Sequence, residues 1–391
     1  MSLSIRPPLD RDEALRFFRL ACPALLAPVS AAEEWLDREG QGNARVAYEG
    51  HTLVGGLMIQ RLSQWFGGRA VPSGVVRGVA VAPAHRGKGV ALGLMRHVLG
   101  ELRAARVPLA MLFPATQKLY RKTGFEQAGS YEVVSVPLHE LGTAEPELEL
   151  YAVSPTDAML VALHEKAGAQ TQGLFRRNTW LWRRMIEPRT PRDLEAYVFG
   201  APESAEGYVM VYPERGADPH YGTLVVHDRA LLTQRALRSA RALLGRYRST
   251  MDRVRLTSAP VDGFLVGLDS QQRVVTERRD RWMLRLVDVS AALAGRGYPP
   301  IDAEVHLLVR DEFLGPAEEK VVLRVRGGVP TIEPGGSGKV DVDVRGLSGM
   351  YTGYLAAKDA AELGYLRTPV SEARVLDALF AGPAPFVTDY V

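Results

Sequence analysis

Cysteine is nearly absent from the sequence: Cys22 is the only one in 391 residues. That excludes an intrachain disulfide framework and any metal cluster built on several thiolates. A lone thiol fits a reducing compartment, and Cys22 reads as a small buried apolar side chain rather than a nucleophile. Long hydrophobic runs are missing too, since no stretch reaches the roughly 18 apolar residues of a membrane span. The start, Met1-Ser2-Leu3-Ser4-Ile5-Arg6-Pro7-Pro8, lacks the charged-then-apolar layout of a secretion signal, so no membrane is expected and residence is expected to be cytoplasmic. Nor is there an excess of one charge. Forty-eight basic residues against 45 acidic leave a formal +3, so no nucleic-acid partner is expected. The 8 histidines are scattered without a His-Glu-x-x-His pair, and no metal is expected. A Gly-x-Ser-x-Gly nucleophile elbow is lacking. So is a Walker loop: Lys88 is followed by Gly89 and Lys339 by Val340, where Ser or Thr is required.

What is present suits a multidomain globular chain. Hydrophobic residues make up 46% and charged residues 24%, which excludes disorder and fibrous classes. At about 100–200 residues per domain, two to four domains are expected. Residues 10–26 pattern as an amphipathic helix, and Arg45–Ala47 and Thr52–Ile59 as a hairpin. A second strand pair follows in 64–82. A helix over Val90–Ala105, a short strand near Ala110–Phe113, a helix through Tyr120 ending at Gly124 and a strand at Val133–Val136 complete a first unit. The acidic, Pro-bearing stretch 142–150 reads as a linker. A second α/β unit carries an arginine-rich helix over 230–248, and a third, mixed unit begins near Met283.

The strongest local signal is Val79-Ala80-Val81-Ala82-Pro83-Ala84-His85-Arg86-Gly87-Lys88-Gly89-Val90-Ala91. It is a strand, a loop with two glycines, and a helix. Glycines let the backbone approach a ligand, and free N–H groups at a helix start are aimed at an anion. Arg86 and Lys88 add charge, so a diphosphate is the natural guest. A plain strand–helix turn with solvated basic residues is the alternative. A dinucleotide fingerprint forced onto Gly87, Gly89 and Gly93 lacks the acidic ribose ligand about 20 residues on, which argues against a nicotinamide enzyme.

Arg86-x-x-Gly89-x-Ala91 after a Val-x-Val strand resembles the pyrophosphate loop of the GNAT acetyltransferases, and Tyr120-Arg121-Lys122-Thr123-Gly124-Phe125 resembles their Tyr-x-x-x-Gly-Phe element. With Gln64–Arg69, Val71–Val79 and Phe113-Pro114-Ala115-Thr116, the whole chain resembles the Eis (enhanced intracellular survival) family, some of whose members acetylate aminoglycosides at several positions. The resemblance implies two fused GNAT-like α/β domains, the second degenerate, and a C-terminal α+β domain like sterol carrier protein. Their expected bounds are 1–141, 150–282 and 283–391. It implies acetyl-coenzyme A as cofactor, a small-molecule amine as substrate and a homo-oligomer, a hexamer. The second unit lacks the Arg-x-x-Gly-x-Gly/Ala loop and is not expected to bind coenzyme A.

The resemblance also distributes roles. Val79, Ala80 and Val81 would pair with the pantetheine arm and polarise the thioester, and Arg86, Gly87, Lys88, Gly89, Val90 and Ala91 would hold the diphosphate. Tyr120 would protonate the leaving thiolate; a phenol with an ordinary pKa of about 10 is able to do so. A core tyrosine is the other reading. The carboxylate of Val391 would help deprotonate the amine, although relatives end in an aromatic residue and here Tyr390 is penultimate. A frayed terminus is the usual fate of chain ends. Trp35 would line the substrate pocket, or pack in the core. Glu33, Glu34 and Asp389 would draw a polyamine, or lie solvated. An alternative function is a non-enzymatic lipid-binding protein using the third domain, with a vestigial acetyltransferase region.

Overall fold

The computed structural model describes residues 3–142, 144–187, 192–216, 220–315 and 317–391. The first unit runs β1 Leu3–Arg6, α1 Arg11–Ala24, α2 Ala32–Glu39, β2 Ala44–Glu49, β3 Thr52–Phe66, β4 Arg69–Val81, α3 Val90–Ala104, β5 Leu109–Leu112, α4 Gln117–Arg121 and β6 Glu126–Pro137. The second holds β7 Leu150–Val153, α5 Ala158–Gly168, β8 Phe175–Arg176, α6 Thr179–Ile186, β9 Glu195–Phe199, β10 Gly207–Arg215, β11 Gly222–Leu231, α7 Gln234–Gly245, β12 Met251–Ser258, α8 Gly263–Val266 and β13 Val275–Leu286. Of the expected linker, Thr143 lies outside the described residues.

These strands form one sheet in the order β1-β2-β3-β4-β5-β13-β6-β12-β11-β10-β9-β7, with β8 on the end of β3. The two units exchange their last strands. β13 pairs with β5 (Met283↔Leu112) and with β6 (Trp282↔Gly129), while β6 reaches across to β12 (Val136↔Val254). The expected boundary between 282 and 283 therefore falls inside one continuous strand. The apolar run Trp282-Met283-Leu284 is fully buried because the strand it belongs to is central, not because a new domain starts there.

The third unit is a five-stranded sheet, β16-β15-β14-β17-β18, where β14 is Ala303–Arg310, β15 Glu318–Arg326, β16 Val329–Pro334, β17 Val340–Asp343 and β18 Leu366–Arg367. Helices α9 Val289–Gly295, α10 Val344–Tyr351, α11 Ala357–Glu362 and α12 Val370–Leu379 cover it. Its core is not separate. Leu307, Leu347 and Leu379 belong to one cluster with Phe66, Val75 and Met111 of the first unit and Phe175 and Leu181 of the second. The β3–β4 turn is part of this joint: a Cβ at Gly67 would sit 2.1 Å from the Gly297 carbonyl oxygen, so only glycine lets the two backbones meet.

The chain's last residues are pinned, not frayed. Ser130 and Phe386 form a parallel bridge, in which the Ser130 N–H donates to Pro385 O (3.1 Å) and the Val387 N–H to Ser130 O (3.0 Å). Further on, the buried Arg177 guanidinium lies between two carboxylates. It donates to Asp228 at 2.6 and 2.9 Å and to Asp389 at 3.0 and 3.1 Å, and Tyr208 donates to Asp228 at 2.6 Å. Arg177 stays cationic despite burial because both carboxylates oppose the desolvation, and the same pairing holds Asp228 well below the usual carboxylate range.

Replacing Arg177 with Met leaves Asp228 buried without its counter-charge, and the expected loss is about 3–5 kcal/mol in urea unfolding. Asp389→Asn, which keeps the Arg177–Asp228 pair, is expected to cost less. Because the folded pKa of Asp228 is depressed, its contribution is complete above its unfolded value of about 3.9 and is lost as pH falls below that. The urea midpoint of the native protein therefore drops on acidification below pH about 4.

Candidate active site

β4 and β5 run parallel for only three registers, Ser73↔Leu109 to Val75↔Met111. Beyond Val75, β4 continues to Val81 without a partner on that edge. A register shift against β3 near Gly78 turns its course. On its other edge the Ala82 N–H donates to Val54 O (2.9 Å), and Ala80 stands opposite Gly56 in the same alternation. The N–H groups of Val79 and Val81 consequently point into the gap. Next come the turn Pro83–His85, Arg86 reaching back to Val81 O (3.3 Å), and the left-handed Gly87 and Gly89. Helix α3 starts at Val90 with no side-chain cap, and residues 86–89 are exposed. His85 is turned to Glu49 (3.5 Å) rather than to the loop mouth. A split strand edge with free donors that leads to an uncapped helix start fits an extended chain ending in a diphosphate.

The equivalent place in the second unit is closed. The Thr233 hydroxyl caps α7 by accepting from the Ala236 N–H (3.1 Å) and donates to Glu206 (2.5 Å), which Arg235 also engages (3.1 Å). A carboxylate stands where the first unit leaves room for an anion. The remaining arginines of α7 are occupied as well: Arg238 pairs with Glu147, and Arg241 donates to the carbonyls of Phe264 and Gly267.

Tyr120 packs on the α3 face of the sheet with Val76, Val90, Leu112 and Phe125. Burial pushes its phenol up to about 12. Its hydroxyl makes no hydrogen bond to another described residue. The helix stops where it does because Gly124 is left-handed (φ +83°) and lies under Arg285, whose guanidinium would be 1.7 Å from an added Cβ. Arg285 donates to the Thr123 carbonyl and pairs with Asp311. The Tyr-x-x-x-Gly-Phe spacing thus reports a close approach of the central strand β13.

Trp35 and Val391 meet on the opposite face. They line a cavity of about 570 Å³ together with Met58, Val76, Gly78 and Phe113. Trp35 also packs edge-on against Phe18 at 5.2 Å, so it belongs to the core as well as to the cavity wall. Tyr390 stacks on Phe113 (4.3 Å) and Tyr131 (5.2 Å), and its carbonyl accepts from Arg184 (3.4 Å). Tyr120 is not among the residues lining this cavity. Val76, just beyond the last β4–β5 register, belongs to the Tyr120 cluster and also lines this cavity.

The three acidic side chains weighed for drawing a polyamine are each engaged by an arginine. Glu33 and Glu34 are exposed and pair with Arg19 and Arg38, and Asp389 is spent on Arg177. Instead, Arg38, Arg77, Arg184 and Arg192 line the cavity. Sequence reading missed them, because they come from four separate segments and no spacing connects them.

Three acetyltransferase or carrier family models match the chain: an acetyltransferase (GNAT) domain over residues 5–128, a second acetyltransferase (GNAT) domain over 173–286, and a sterol carrier protein domain over 289–388. An uncharacterised N-acetyltransferase of Streptomyces coelicolor is 29% identical over 63% of this chain and 63% of its own length. N-acetyltransferase Eis of Mycobacterium tuberculosis is 25% identical over 87% of this chain and 86% of its own. The crystal structure of a GCN5-related N-acetyltransferase from Anabaena variabilis superposes over the full length of both chains with a TM-score of 0.94 at 29% identity, and one from Kribbella flavida does so with 0.84 at 27%. Two acetyltransferase units fused through exchanged strands, a carrier-like third unit and relatives that follow this order end to end lead to one conclusion: the chain belongs to the Eis-type GNAT N-acetyltransferases, a family whose acyl donor is acetyl-coenzyme A.

Proposed function

We propose that the protein transfers an acetyl group from acetyl-coenzyme A directly to a primary amine, with Tyr120 as general acid and the Val391 carboxylate drawing the proton from the amine. The observation that carries this reading is the split between β4 and β5, next to which Val76 both lines the Val391 cavity and shares a hydrophobic cluster with Tyr120. When bound, acetyl-coenzyme A supplies an acetyl thioester, whose C–S bond breaks as the new C–N bond forms.

The chain's own groups supply the rest. The N–H groups at the start of α3, with Arg86 and Lys88, hold the diphosphate. Val79 and Val81 align the pantetheine arm and donate toward the thioester oxygen as charge develops there. The Val391 carboxylate, ionised at neutral pH, attracts the ammonium and takes its proton directly or through water. The raised pKa keeps Tyr120 protonated across the physiological range, and its dry surroundings strengthen the hydrogen bond it gives to the departing thiolate. In this reading the sterol-carrier-like unit acts as the mount for the C-terminal tail. Aminoglycosides, which the resemblance implies as acceptors, carry suitable amines, as do lysine side chains and polyamines.

Thiol release from acetyl-coenzyme A, followed with an amine panel, tests the roles. Tyr120→Phe is expected to lower kcat by about 10²–10⁴-fold with the acetyl-coenzyme A Kd little changed. A variant lacking Val391 is expected to lose turnover while still binding acetyl-coenzyme A; undiminished turnover would remove the terminus from the mechanism. With Tyr120 pushed up to about 12, kcat should show no alkaline limb near pH 10 from its ionisation. Gly124→Ala, forced into Arg285 at positive φ, is expected to destabilise by more than about 1 kcal/mol and to depress kcat by shifting Tyr120.

A further inference from the structure

The penultimate ring of the chain, Tyr390, has a seat of its own. The Arg278 guanidinium lies over it, 4.0 Å from the ring centroid. Phe113 stacks on the same ring at 4.3 Å, and Tyr131 approaches it at 5.2 Å. Phe113 and Tyr131 also meet edge to face at 6.1 Å, and Arg278 lies 5.5 Å from Tyr131, so these contacts form one cluster. A cation over an aromatic face and a stacked second ring both attract.

Three neighbouring strands build this seat. Phe113 follows directly on β5, Tyr131 is on β6, and Arg278 is on β13, which lies between them in the sheet. Against β6, Thr276 stands opposite Val134 and Arg278 opposite Val133, so Glu277 has no counterpart. A bulge of this kind re-aims the side chains around it. Glu277 pairs with Arg255, while Arg278 goes to the tail ring. Asp280 accepts from Arg278 Nε at 2.6 Å and so steadies the guanidinium.

Phe113, Tyr390 and Val391 all line the larger cavity, whereas Arg278 lines neither that cavity nor the one beside it. Arg278 therefore reaches the site only through Tyr390. One residue spans at most about 3.6 Å, so holding the Tyr390 ring confines the carboxylate that follows it.

Resting on the role given above to the Val391 carboxylate, we propose that Arg278 is a positioning residue for acetyl transfer. With Phe113 it clamps the Tyr390 ring and so sets where the terminal carboxylate meets the amine.

The test follows thiol release from acetyl-coenzyme A with an amine that the native protein turns over, beside the acetyl-coenzyme A Kd and the urea midpoint. Arg278→Gln is expected to lower kcat by about tenfold, with the Kd and the midpoint little changed. Arg278→Lys, which keeps a cation for the ring, should recover most of that loss, and Asp280→Asn should lower kcat less than Arg278→Gln does. Tyr390→Leu should fall further than Tyr390→Phe. Removing Val391 should cost less in the Arg278→Gln chain than in the native one, because both changes act on one carboxylate. A kcat unmoved by Arg278→Gln, equal losses in the Gln and Lys variants, or an equal cost of removing Val391 in both chains overturns the proposal and leaves the terminal carboxylate its role. Undiminished turnover without Val391 overturns that role and this proposal with it.

Discussion

The structure depends on a buried cation. Arg177, between β8 and α6, sits fully inside the second unit and holds Asp228 of β11 on one side and Asp389 of the tail on the other. Burying a guanidinium is costly unless its charge and donors are met. Here two carboxylates and the Thr388 hydroxyl meet them, and the second carboxylate arrives only when the last residues of the chain are docked. The tail is thereby tied to the second unit at Thr388 and Asp389, and the two residues that follow, Tyr390 and Val391, line a cavity with Trp35 and Met58 of the first. Val391 comes to line the cavity beside a charge pairing made elsewhere.

The three units are interlocked by strand exchange and by a shared core. β13 completes the first unit's sheet, and β6 completes the second's. Trp282, on β13, donates to the Ser130 carbonyl (3.2 Å), and Ser130 in turn bridges to the tail. Central strand and tail are thus joined by hydrogen bonds, and the third unit by a shared core.

The two acetyltransferase units keep the same parallel strand pair but differ where anions would bind. The first leaves the start of α3 uncapped and exposed. The second fills the start of α7 with Thr233 and Glu206. One repeat presents a helix dipole to a ligand, and the other satisfies it internally. Its cavity persists beside Tyr390, lined by arginines that the first unit's cavity shares.

Local sequence determined much of this. The loop from Val79 to Ala91, the Tyr120–Phe125 element, the helix over Val90–Ala104 and the separate third sheet were legible because each is made by contiguous residues with a fixed period or spacing. The boundary at 282/283 was not: an apolar strand looks the same whether it opens a domain or closes another's sheet, and only pairing decides. Pairing also decided that Asp389 joins Arg177, while Glu33 and Glu34 lie on the surface, one of the two places the sequence left open for them. The charge of the cavity beside Val391 belongs to tertiary structure alone. Four arginines from different segments converge there, and a sequence records their number but not their convergence.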